Sequence, residues 1–134
     1  MSFTDVRKEI AVAISQIKDL HVSAYRPSPL DQTPCAFIVP ERIEYGYTLP
    51  RRNQKNYFII QILFGRMGDF SESQATIDEY LDYSGDKSIY NAVDAYEFDK
   101  SLVNHVHLEG MTEYGIFDYD GTPYVGARFR VETY

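Results

Sequence analysis

His105, His107 and Glu109 alternate along one short stretch and are the first candidates for chemistry in this chain. On a β-strand alternate side chains share a face, so an H-x-H-x-E array sets two imidazoles and a carboxylate side by side, the donor types that bind zinc. No further ligand at metal spacing accompanies them, and polar residues alternating with Val106 and Leu108 are also what the wet face of an edge strand contains. The expectation is a solvated strand face with no metal. Cys35 is the single cysteine, so no internal disulfide is possible and a reducing compartment is expected. With His21 or His105 it could in principle form a thiol–imidazole pair, but it sits in the apolar run CAFIV, where a small buried hydrophobe belongs. Asp118 and Asp120 are spaced like alternate calcium ligands, yet Pro123 and a strand pattern follow at once, so Asp120-Gly121 reads as a two-residue hairpin turn. Gly65 and Gly68 in GRMGDF lack the spacing and lysine of a phosphate loop and are expected to release the chain from strand to helix. No catalytic residue, cofactor or metal site is expected, and the chain reads as something other than an enzyme.

The charge distribution raises a different possibility. Thirteen basic against twenty acidic residues give a net charge of -7, which argues against a general nucleic-acid binder, because non-specific affinity for phosphates needs clustered Lys and Arg. Positive charge nevertheless gathers in YGYTLPRRNQKNY, between two patterned flanks that read as the arms of a hairpin. Arg51, Arg52 and Lys55 at this tip are expected to form an interaction element, since guanidinium groups make bidentate contacts with carboxylates. The chain also holds 12 Tyr and 8 Phe with no Trp, and many of the tyrosines fall at polar or turn positions, as at surfaces packed on one side and wet on the other. Tyr45, Tyr47, Tyr57 and Ile59 are the expected subunit-interface residues.

These residues need elements to position them. Phe3, Val6, Ile10, Ala13 and Ile17 recur at helical spacing behind a Ser2–Asp5 capping pair, predicting an amphipathic first helix. HVSAY reads as a short strand, RPSPLDQTP as a proline-rich loop, and CAFIVP, RIEYGYT and NYFIIQILFGR as strands. The last of these is apolar on both faces, with Tyr57, Ile59, Gln61 and Leu63 on one and Phe58, Ile60, Ile62 and Phe64 on the other, so it is central or covered by a neighbour. A second helix is expected from Ser71, with Gln74 completing a capping box and Phe70 stapled to Ala75, ending near Ser84-Gly85. A third helix runs through Ile89, Ala92 and Val93. LVNHVHLEG and YGIFDYD read as two strands, and Val125, Ala127, Phe129 and Val131 alternate with charged residues in a last one. The prediction is one domain over 1–134 and an α+β fold, an antiparallel or mixed sheet with an N-terminal helix and two further helices packed on it. Charged Asp5, Arg7, Lys8 and Glu9 exclude a signal peptide at the start, and the longest apolar run is broken by Gln61, so no membrane segment is expected.

Taken in order, the helix ending IKDLHVSAYRP, the segment PCAFIVPERIEYGYT, the basic tip before NYFIIQILFGRMGD, the helix closing as IDEYLDYSGDKSIYNAV and the terminal EYGIFDYDGTPYVGARFRVETY resemble the tail terminator (tail completion) family of long-tailed, non-contractile bacteriophages. The resemblance covers essentially the whole chain through order and spacing. It implies an α+β subunit of a hexameric ring that caps the tail tube protein, offers a surface to the head-side neck protein and lets DNA pass through without specific binding. It places the chain in the virion neck, and in the host cytoplasm during assembly, with no cofactor. A head-closure or other neck protein, and more distantly a small enzyme or ligand-binding domain, are the competing readings.

Overall fold

The computed structural model describes residues 3–27, 30, 32–45, 54–66, 74–99 and 105–134. Among these the element order is α1 (Phe3–Ile14), β1 (His21–Ser23), β2 (Cys35–Tyr45), β3 (Gln54–Arg66), α2 (Gln74–Leu81), α3 (Ile89–Ala95), β4 (Val106–Tyr119) and β5 (Thr122–Thr133). The five strands form one sheet in the order β1-β2-β3-β5-β4. β1 runs parallel to β2, and every other neighbouring pair is antiparallel. The sheet is therefore mixed and the fold α+β.

All three helices bury their apolar stripes against one face. Val6, Ile10 and Ile14 of α1, Ile77 and Tyr80 of α2, and Ile89 and Val93 of α3 join Ile38, Phe58, Ile60, Ile62, Phe129 and Val131 in a single core cluster. The period-3.6 spacing in α1 and the period-2 alternation in β5 meet there, which is why a chain of this size needs no disulfide. Phe58 is fully buried and its ring lies 4.7 Å from that of Phe3, fixing the start of α1 over β3. Ser88 caps α3 by accepting a bond from the Asn91 N–H at 3.0 Å and donates to the Asp82 carbonyl.

Several boundaries differ from the sequence-based expectation. α1 stops at Ile14, and Ile17 is buried from the turn that follows, with Asp19 in the left-handed region (φ 68). CAFIVP and RIEYGYT are not two strands: β2 is continuous, because the pairing with β3 skips Glu41 between Pro40 and Arg42. Such a bulge absorbs the proline, whose missing N–H falls past the end of β1. HVHLEG and YGIFDYD likewise join as β4, with register shifts between Leu108 and Gly110 and between Met111 and Glu113. Gly65 pairs with Val125 within β3 rather than releasing the chain, and α2 ends at Leu81, four residues before the left-handed Gly85. The Asp120-Gly121 hairpin is as expected, with both residues at positive φ (51 and 84). Ser2, Gly68, Phe70, Ser71 and 102–104 lie outside the described residues.

Candidate functional site

The sheet face turned away from the helices carries most of the residues singled out above. Cross-strand partners share a side, and the register Val39↔Ile59↔Arg130 and Phe37↔Gln61↔Arg128 lays an apolar strip of β2 and β3 beside the arginines of β5. Together with β4 these residues enclose a groove of about 710 Å³, lined by Phe37, Val39, Ile59 and Leu63 along its floor and by Glu113, Phe117 and Tyr119 on the β4 side. At one end Cys35, Phe37, Leu63, Tyr119 and Tyr124 pack into a second, smaller apolar cluster. Ile59 and Val39, nearer the middle, remain partly exposed.

Ion pairs and stacked cations span the rest of this face. Arg128 donates through Nε to Gln61 Oε1 at 2.6 Å, sets Nη1 3.3 Å from Glu113 and stacks over Phe117 at 4.7 Å. Gln61, nearly fully buried, uses its amide Nε2 on the Ala127 carbonyl at 3.3 Å. Arg130 bonds Glu41 at 2.7 Å and places Nε 3.6 Å from Glu109. Those contacts to Glu41 hold the Arg130 guanidinium further above its ordinary value. Arg42 stacks over Tyr57 at 4.2 Å, and the Tyr57 hydroxyl donates to Glu44 at 3.4 Å. Lys55 sits 2.5 Å from Glu132; that hydrogen bond pushes the lysine above its ordinary value and draws the glutamate carboxyl below its own.

The predicted residues separate into three groups. Tyr57 is buried on this face, Ile59 lines the groove floor, and Tyr45 is 75% exposed at the end of β2. Lys55 is engaged within the chain by Glu132 and lies 5.7 and 5.3 Å from the Tyr57 and Tyr134 rings. Tyr47, Arg51 and Arg52 lie outside the described residues. His105 and His107 are exposed neighbours with ring centroids 6.1 Å apart, and Glu109 faces Arg130. No group of three or more His, Cys, Asp or Glu suited to a metal occurs among the described residues. The Cys35 thiol is buried and pushed up to about 11 by desolvation, partly offset by a backbone hydrogen bond at Leu63, which leaves it protonated at neutral pH. No described helix is long and apolar enough to cross a membrane.

Gln61 with Arg128, and Arg130 with Glu41, were missed as site-forming pairs. Their signal was present in part: a single amide inside a doubly apolar strand needs a polar cross-strand partner, and Arg128 alternates with the core residues of β5. What the arrangement offers chemically is a preformed contact surface, with an apolar floor and fixed charges around it. No protein-family model matches the chain, and no curated protein matches it.

Proposed function

We propose that this chain is a tail terminator, a subunit of a ring, hexameric by resemblance, that caps the tail tube of a long-tailed bacteriophage, stops its growth and offers a surface for joining the head. The observation that carries this reading is the second face of β3. Its helix-side residues are sealed under three helices, yet Ile59 on the opposite face lies partly open in a groove that no described helix covers. An apolar strip framed by ordered charges is the anatomy of a protein-contact surface, with its hydrophobic centre and polar rim. The order and spacing of segments along the chain support the same assignment, and the net charge of -7 suits a channel through which DNA slides without gripping contacts.

Negative-stain electron microscopy of the purified protein with tail tubes tests the assignment. Rings seated on tube ends are expected. Tubes left bare at saturating protein would contradict it, and rings found on heads while tubes keep growing would reassign the chain to another neck position.

A further inference from the structure

The groove has a counterpart on the same molecule. β4 is the outer strand of the sheet, paired among the described residues with β5 alone. On it Met111 and Tyr114 stand opposite Phe129 and Ala127, which places both on the helix side. They are nevertheless 45% exposed each, and Ile116, at the groove margin, is 54% exposed. A long edge strand with a row of exposed apolar side chains is a contact site in wait, because unpaired backbone and uncovered apolar surface both favour association.

We infer that a second copy of this chain fills the groove with the helix-side edge of its β4, seating Tyr114 and Met111 over Ile59 and Val39. The inference rests on the ring reading above and names the contact that would build it. Each chain carries the projecting row and the receiving groove on opposite faces of its sheet, so one chain cannot join its own. A contact between unlike surfaces leaves one of each free on the outer copies, and such contacts close into rings when the rotation permits. Charge favours the same pairing. β4 carries Glu109, Glu113 and Asp118 and no Lys or Arg, whereas the β1–β2 end of the groove presents Arg7 and Arg26. Arg7 donates to the carbonyl oxygens of Ala24 at 2.6 Å and Ile38 at 2.5 Å and has no carboxylate partner among the described residues. The buried Tyr119 hydroxyl, bordering the groove, also has no hydrogen-bond partner.

Site-directed cross-linking decides the matter. Ile59→Cys and Tyr114→Cys chains are purified separately, checked for an unchanged melting temperature, and treated with a short bis-maleimide alone and mixed, with and without tail tubes. The buried Cys35 serves as the unreactive background in every sample. A cross-linked dimer is expected in the mixture and not in either variant alone, and the double variant gives a ladder ending at the ring size. Tyr114→Ala, with no cysteine added, weakens association by about tenfold, the loss that follows removal of a packed interface aromatic. Linking of Tyr114→Cys to itself would replace the inference with two-fold edge pairing, and absence of any link while rings are seen by microscopy would overturn it and leave the ring reading standing. A mixed link in protein that fails to cap tubes would support the contact and sink the tail-terminator assignment. No link and no rings would remove both.

Discussion

Lys55 and Glu132 show how one residue's role depends on a partner remote in sequence. Grouped by position, Lys55 belongs to the basic tip with Arg51 and Arg52; in the fold its Nζ lies 2.5 Å from Glu132, which faces Tyr57 across the β3–β5 ladder. The pair has a defined pH signature. Glu132 is depressed in the folded state, so its contribution is present above the unfolded carboxyl value of about 4.3 and is lost as pH falls through the folded value. Lys55 is raised, so its contribution is present below the unfolded value of about 10.4 and is lost as pH rises through the folded one. Lys55→Met should therefore lower the melting temperature between those limits and lose its effect in stronger acid, as thermal melts across pH will show. Cys35 gives a second check. With its thiol pushed up to about 11 and its side chain buried, maleimide labelling at neutral pH should be limited by unfolding and quicken sharply in denaturant; fast labelling of the native protein would contradict the burial.

At the scale of elements, local chemistry decided what could be read in advance. The two-faced β3, the alternation in β5 and the Asp120-Gly121 turn were legible because each is set by side-chain period or backbone preference within a few residues. The continuity of β2 and β4 was not, because bulges at Glu41, at Glu109 and at Thr112 let a strand continue where proline or glycine suggests a break. Nor was the parallel pairing of β1, which depends on α1 and the following loop returning the chain beside β2. Close packing at one position carries a further prediction. A Cβ added at Gly126 would collide with the main-chain carbonyl of Ile62 and press on Phe117 and Leu63. Since the obstacle is backbone, Gly126→Ala should cost about 1–3 kcal/mol of stability in denaturant unfolding, the usual penalty for overpacking. On the helix side, Phe58→Ala should cost about 3–5 kcal/mol, because a fully buried ring stacked on Phe3 leaves a cavity that the sheet cannot collapse to fill.

For the whole molecule, the sheet has a sealed face and an open one, and function is assigned to the open one. The sequence pointed there through Tyr57 and Ile59, but the groove itself was illegible, since it is assembled from strands far apart in the chain and held in shape by Arg128 and Arg130. The basic tip belongs at this scale too. Arg51→Glu with Arg52→Glu touches no residue of the core, so stability should change by under about 0.5 kcal/mol while capping of tubes weakens. Capping at the wild-type rate would reduce the tip to a solvated turn. The most direct test of the central claim is the growth of tail tubes from purified tube protein, followed by length distribution in electron micrographs, with wild-type chain or with Ile59→Arg. Ile59 is partly exposed, so the added guanidinium is tolerated by the fold but places a charge on the apolar floor that the contact would bury. Wild-type protein should arrest the tubes at short, capped lengths, and Ile59→Arg, at an unchanged melting temperature, should leave them growing as though nothing had been added. Equal arrest by both proteins, or by neither, would contradict the account.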